Sequence, residues 1–314
     1  MADLLRVENL FSVAGTTVLV TGGGSGIGKT LTKAFAINGA RVIIVGRRQH
    51  VLDATAREIG GDIICVKGDV STKDGAEDVI QQVKKAVTVL DTVINCAGIS
   101  IPFKRPSDNL DDPDTAADLL SQVDDADWTE THKVNVNGMG AQFKACVQPL
   151  TPADPSGPYF MTVSAIPLLR KSDNPNVVII SSVAGLVNQR ANGSFTYGVS
   201  KAGAVHLSSM LAGRLHPLKI RVNCICPGIF PSEMTATTGA DGAVALGRMG
   251  TKAVMRSTLG RPGKPEEIAA PILLLASKGG MYMNDTCINV DGGRWLVMKG
   301  IYDGLRLPDE SYIN

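Results

Sequence analysis

The sequence predicts an α/β protein: one domain built on a doubly wound, seven-stranded parallel sheet, with surface insertions. Three observations carry that expectation. Short apolar runs rich in β-branched residues alternate with helical segments along 314 residues. The runs are continuously apolar, as in strands covered on both faces. The first run enters the turn TGGGSGIG at 21–28, and a helical segment follows at once.

Taken in order, Thr17–Thr21 is the first expected strand, and a helix runs from about Ser25 to Asn38. Arg41–Val45 is the second strand, and Leu52–Ile59 lies in its helix. Asp62–Lys67 is the third, followed by a helix near Ala76–Ala86. Thr92–Asn95, Val177–Ser181, Ile220–Ile225 and Cys287–Val290 supply the remaining four. Strands separated by helices close into a parallel sheet with helices on both faces. Two stretches interrupt the alternation and read as surface insertions. The first, about 103–128, includes Ser107–Trp128, with eight aspartates and no lysine or arginine. It reads as a solvated face, without the regular spacing of a Ca²⁺ loop. The second, about 150–176, is proline-rich, from Pro149 at its edge to Pro175. Residues 295–314 form a C-terminal extension.

Composition narrows the function classes. With 44% hydrophobic and 19% charged residues, the chain can bury a sizeable core. A net charge of +1 points to neither nucleic acid nor a membrane surface as partner. MADLLRVENL does not read as a signal peptide, and no apolar window is long enough to span a bilayer. A soluble, cytoplasmic protein is expected. The six cysteines scatter without CxxC spacing, and the four histidines do not cluster with them. Reduced thiols are expected, with no metal site. Cys224 and Cys226, in the sixth strand, read as small apolar fillers on opposite faces.

A strand that enters a glycine turn and then a helix is a pyrophosphate site. Glycines let the backbone approach the phosphates, and the helix N-terminus supplies donors. Here the glycines of the TGxxxGxG spacing are Gly22, Gly26 and Gly28, with Gly24, Ser25 and Ile27 between them. Further segments follow in order: Asp69-Val70, Asn95-Cys96-Ala97-Gly98, Asn135 in VNVNG, and Ser182 in IISSVAG. Tyr197-Gly198-Val199-Ser200-Lys201, Pro227-Gly228 and the VDGG at 290–293 complete the set. From about Ser12 to Gly293 this series resembles the classical short-chain dehydrogenases/reductases, whose fold is a Rossmann-type sheet. Three departures stand out. The Ser182–Tyr197 gap is longer than usual. Ser232 stands where a threonine commonly holds the nicotinamide carboxamide. Asp285 replaces a glycine before the last strand, a substitution that Asn or Asp tolerates in the left-handed region.

The resemblance implies site residues. Tyr197 would be the general acid in carbonyl reduction and the base in alcohol oxidation. Lys201, on the same helix face four residues on, favours the phenolate and would hold the nicotinamide ribose. Ser182 would polarise the substrate oxygen, and Asn135 would position a relay water. Cofactor contacts would come from the glycine turn, Asp69, Val70, Asn95, Ala97, Gly98, Pro227, Gly228, Ile229 and Ser232. The second strand ends Val45-Gly46-Arg47-Arg48, with no acid for the ribose hydroxyls. Arg47 and Arg48 could instead pair with a 2′-phosphate, so NADP(H) is expected.

The segment Ile229–Leu259, rich in Ala, Gly, Thr and Met, reads as a mobile lid over an apolar substrate. Its PGIFPSEMT resembles reductases close to 3-oxoacyl-thioester reductases and reductases of specialised metabolism, which implies NADPH-dependent reduction of a small-molecule ketone or β-keto carbonyl to a secondary alcohol. A homodimer or homotetramer is expected by resemblance, through helices near Asn135–Leu150 and Tyr197–Leu215. Two alternatives stand beside this reading: an NAD-linked alcohol or sugar dehydrogenase of the same family, and a catalytically silent nucleotide-binding protein.

Overall fold

Strands β1 (Thr17–Thr21), β2 (Arg41–Gly46), β3 (Ile63–Lys67), β4 (Thr92–Asn95), β5 (Asn176–Ile180), β6 (Arg221–Pro227) and β9 (Cys287–Val290) form one sheet in a computed structural model. The model describes residues 5–105, 112–136, 157–187, 195–232, 234–238 and 244–298. The sheet is wholly parallel, in the order β3-β2-β1-β4-β5-β6-β9. The chain thus builds outward from β1 to β3, then crosses back to start β4 on the other side of β1. That reversal opens a crevice beyond the carboxyl ends of β1 and β4, where ligands bind in such sheets.

Side-chain alternation divides the core. Leu19, Ile43, Val93, Val177 and Val222 point into one apolar cluster. Helices α4 (Lys73–Ala86), α7 (Gly157–Leu169) and α8 (Phe195–Leu215) cover it, through Val79, Met161 and Ala204 among others. Val18, Val20, Val42, Ile44 and Ile94 point the other way, onto α2 (Gly26–Ile37) and α10 (Pro265–Ala276) through Leu31, Phe35, Ile268 and Ile272. Each fully buried aliphatic side chain contributes about 1.5–3 kcal/mol. This two-sided burial is why the inner strands are largely apolar. A helix α3 (Gln49–Ile59) links β2 to β3.

Ends of elements differ from expectation by one to three residues. The sixth strand extends to Pro227 because Cys226 and Pro227 still pair with Asn289 and Val290 of β9. Asp285 lies at φ 56°, so the left-handed turn expected before β9 is present.

Two larger differences concern the segments read as insertions. In the first, α5 (Pro113–Ser121) and α6 (Asp125–Asn135) form, and aspartates cap both. Asp112 accepts from Thr115 N, and Asp124 and Asp127 exchange hydrogen bonds in a capping box. Asp124 also pairs with Lys104, and Asp118 with Arg105. Aspartate content here is helix-capping chemistry. In the second, residues 157–169 are not a surface insertion. They form α7, which buries Met161, Ala165, Leu168 and Leu169 against the sheet. Its apolar spacing outweighed Pro158, tolerated in the first turn, and Pro167 near the end. Pro149, Pro152, Pro155, Cys146, most of the helix expected over Asn135–Leu150, and the extension past residue 298 lie outside the described residues.

The segment after β6 contains an unexpected pair of short antiparallel strands, β7 (Ala236–Thr238) and β8 (Val244–Leu246), then α9 (Arg248–Met255). A last short helix, α11 (Arg294–Met298), follows β9. No helix among the described residues is long and apolar enough to cross a membrane.

Candidate active site

The crevice at the carboxyl ends of the strands gathers nine of the residues singled out from the sequence. A cavity of about 380 Å³ is lined by Gly22, Gly24 and Ser25 after β1, and by Gly46, Arg47 and Arg48 after β2. Asp69 and Val70 after β3, and Ala97 and Gly98 after β4, close its floor. Four separate loops converge because the strands end at one level.

The glycine turn is held by contacts that leave no room for a side chain at Gly28 and strain one at Gly22. A Cβ at Gly28 would lie 2.1 Å from Gly22 O, and Gly22 itself has φ 68°. The turn is tied down by its surroundings: Gly22 N donates to Val45 O, and buried Thr32 Oγ1 donates to Gly23 O. Thr21, the last residue of β1, accepts from both Cys96 N and Ala97 N at 3.0 Å. One hydroxyl thus fixes the loop after β4 against the glycine turn. Nothing in the sequence pattern marked Thr21 for that role.

Tyr197 and Lys201 stand one turn apart on α8, with Lys201 Nζ 5.6 Å from the centre of the Tyr197 ring. Lys201 is 4% exposed, and its ammonium donates to Ile180 O at 3.0 Å. A Cβ at Gly98 would lie 3.3 Å from Lys201 Nζ and 3.3 Å from Asn135 Oδ1. Gly98 is therefore where the cavity wall meets the lysine. Ser182 caps a short 3₁₀ turn, Val183–Gly185, and its Oγ accepts from Ala184 N at 3.1 Å. That turn lies directly on α8: a Cβ at Gly185 would be 2.4 Å from the Lys201 carbonyl carbon. The Ser182 turn and the Lys201 helix touch backbone to backbone only because residue 185 is glycine. Ser181 reinforces the contact by donating to Lys201 O at 2.7 Å. Gly185 and Ser181 also escaped sequence reasoning, although Gly185 sits inside a recognised motif.

Asn135 is 1% exposed and fully engaged. Its Oδ1 accepts from Ile99 N, and its Nδ2 donates to Ile99 O and to Ser200 Oγ. It joins the end of α6 to the loop after β4 and to α8. Cys96, in the same loop, has its thiol pushed up to about 12 by burial, against the pull of Lys201.

The remaining expected contacts are dispersed. Asn95 is buried and donates to Thr162 Oγ1. Ile27 faces the apolar core beneath α2. Pro227 ends β6, and Gly228 packs on the Asp291 backbone. Ser232 approaches the glycine turn: a Cβ at Gly26 would lie 3.2 Å from Ser232 Cβ. Ile229 lines a second cavity of about 320 Å³, with Val254, Leu259, Asp291 and Arg294. The segment after β6 thus lines the second cavity and touches the glycine turn at Ser232.

Residues 16–158 match the family model described as short chain dehydrogenase, and residues 153–294 match one described as Enoyl-(Acyl carrier protein) reductase. The chain is 34% identical to the short-chain dehydrogenase/reductase PhomF of Diaporthe leptostromiformis, over 95% of this chain and 97% of that one. The chain belongs to the short-chain dehydrogenase/reductase family. Among other members, it is 33% identical to the rhamnolipids biosynthesis 3-oxoacyl-[acyl-carrier-protein] reductase of Pseudomonas aeruginosa, covering 90% of this chain and 97% of that one. The solved Pseudomonas aeruginosa RhlG/NADP active-site complex aligns with a TM-score of 0.72 and 30% identity, over 91% of this chain and 98% of that one. Members of this family are oxidoreductases that use a nicotinamide dinucleotide, and the seven-stranded sheet and glycine turn are those of such an enzyme.

Proposed function

We propose that the chain is an NADPH-dependent reductase that converts a ketone or β-keto carbonyl to a secondary alcohol, reversibly. The observation that carries this reading is the meeting, at Gly98, of the Tyr197–Lys201 pair with the cavity at the strand ends. The residues fit a dinucleotide: the turn presents bare backbone at Gly22 and Gly28, where a Cβ would meet main chain, and a cavity of about 380 Å³ extends from the turn to Arg47 and Arg48. Gly22, Gly24, Ser25, Gly26 and Gly28 would hold the pyrophosphate at the N-terminus of α2. Arg47 and Arg48 would pair with a 2′-phosphate, and Asp69 and Val70 would face the adenine. The region of Pro227, Gly228, Ile229 and Ser232 would hold the nicotinamide end.

A bound nicotinamide supplies the hydride. The protein supplies a proton and a polarised carbonyl. Tyr197 would donate its phenolic proton to the substrate oxygen as negative charge develops there. Lys201, buried and one turn away, stabilises the phenolate left behind. Ser182 would donate a hydrogen bond to the same oxygen, and Asn135 would complete the proton path through its position beside Lys201. Names of relatives that reduce 3-oxoacyl groups on carrier proteins support a β-keto substrate. A homodimer or homotetramer belongs to the same reading, and light scattering measures it.

A panel of β-keto thioesters and cyclic ketones, followed by NADPH consumption with NADH in parallel, tests the proposal. Turnover of at least one carbonyl with a higher kcat/KM for NADPH is expected. Preferential oxidation of alcohols or sugars with NAD would favour the NAD-linked alternative.

A further inference from the structure

The edge strand β9 and its neighbour β6 bring three cysteines together. In a strand, residues two apart share a face, so Cys224 and Cys226 point the same way. This corrects the expectation that they face opposite sides. Pairing of β6 with β9 sets Cys287 directly across from Cys224. The Sγ atoms of Cys224 and Cys226 are 4.0 Å apart, those of Cys226 and Cys287 3.5 Å, and all three lie within 4.8 Å of one another. Cys224 and Cys226 are buried, while Cys287 is exposed on the edge strand.

Three thiolates bound about 2.3 Å from one ion stand about 4.0 Å apart in a plane and about 3.8 Å apart on a tetrahedron. The 3.5 Å and 4.0 Å spacings lie within about 0.5 Å of both values, and the third is at most 4.8 Å, so an ion could enter with side-chain adjustments of under an ångström. We propose that Cys224, Cys226 and Cys287 form a binding site for a soft, thiophilic d¹⁰ cation, the class that includes Zn²⁺, Cd²⁺ and Cu⁺. No histidine or carboxylate joins the group among the described residues, so the donor set is all sulfur and does not suit Mg²⁺ or Ca²⁺. Exposed Cys287 gives the ion an entry route and leaves a fourth position facing solvent.

A divalent cation entering the cluster forms three metal–sulfur bonds, and the protons of the thiols it binds go to solvent.

The test uses the full-length protein, reduced, freed of reductant and metal, and titrated with Cd²⁺ as probe. Binding is read from thiolate-to-cadmium charge-transfer absorption, from bound metal per chain after desalting, and from the rise in Tm. One tightly held Cd²⁺ per chain is expected, undisturbed by excess Ca²⁺. Cys287→Ser should weaken binding at least about 100-fold, because outer contacts alone cost 10–100-fold at metal sites. Cys287 is exposed, so this variant should fold, as circular dichroism will show. Cys65→Ser, at a thiol away from the cluster, should bind as the parent does. Charge-transfer absorption of unchanged affinity in Cys287→Ser would overturn the assignment. So would loss of binding in Cys65→Ser, or peptide mapping that finds a disulfide within the trio in protein isolated without added reductant.

Discussion

Gly185→Ala adds one methyl group between two functional backbones. The new Cβ would lie 2.4 Å from the Lys201 carbonyl carbon, 2.6 Å from Ala202 N and 2.7 Å from Lys201 O. Ordinary van der Waals contact begins at 3.4 Å, so the 3₁₀ turn and α8 must separate by about 1 Å. All three obstacles are main chain, so no rotamer change can relieve them. The displacement carries Ser182 away from Tyr197 and Lys201. A misplacement of about 1 Å in a catalytic arrangement costs on the order of 100-fold, equivalent to about 2.7 kcal/mol of transition-state stabilisation. Overpacking should also destabilise the fold by about 1–3 kcal/mol. The assay is kcat/KM for reduction of the best carbonyl substrate, beside NADPH affinity and urea denaturation. The expected result is a fall in kcat/KM of about 100-fold with NADPH affinity within a few-fold of the parent, since the glycine turn is untouched. Activity within threefold of the parent in a folded Gly185→Ala protein would refute the argument that this backbone contact sets the Ser182–Lys201 geometry.

Other consequences follow from particular contacts. Gly46→Asp combined with Arg47→Ala should shift the NADPH/NADH ratio of kcat/KM towards NADH by about 100-fold, the worth of one or two charge-assisted hydrogen bonds. The added Cβ meets only Leu52 side-chain atoms at 3.3 Å, which can yield; an unchanged ratio would remove the arginines from the cofactor site. Thr21→Val keeps the shape but strands the Cys96 and Ala97 amides, and should cost about 2 kcal/mol in urea denaturation. A loss below 0.5 kcal/mol would show that these amides find other partners. Arg261 grips Glu267 with both terminal guanidinium nitrogens, and Lys264 N adds a third contact, which holds the carboxyl down to about 2. A carboxylate depressed on folding stabilises above its unfolded pKa, near 4.5, and loses that effect as pH falls towards 2. The stability gap between the parent and Glu267→Gln should therefore be constant above pH 5 and shrink between pH 4.5 and 2. A gap that widens on acidification would contradict the pairing.

The five inner strands of the sheet were legible because they are buried on both faces, so continuous apolar runs mark them. The lining of the crevice at the strand ends was legible because its pattern is local: a glycine turn, an unacidic strand end and a short loop each occupy a few consecutive residues. Asp285 was readable for the same reason, since its left-handed φ is a property of one residue. What escaped depends on which segments meet. Thr21 reaches across 75 residues to hold Cys96, and Gly185 matters only because the Lys201 backbone lies on it. Helix α7 was obscured by prolines that its ends tolerate. The cysteine trio spans β6 and β9 and needed the register of the two strands, along with the correct parity of positions 224 and 226.

The central claim is that Tyr197, beside Lys201, supplies the proton for carbonyl reduction at a dinucleotide held by the glycine turn. Tyr197→Phe removes one oxygen atom and leaves the cofactor crevice as it is. Single-turnover reduction by this variant, measured with NADPH binding by fluorescence in the same preparation, tests the claim most directly. The account predicts unchanged NADPH affinity with a rate lower by a factor of 1,000 or more, on the order of general acid catalysis. Reduction at a rate within tenfold of the parent would contradict it.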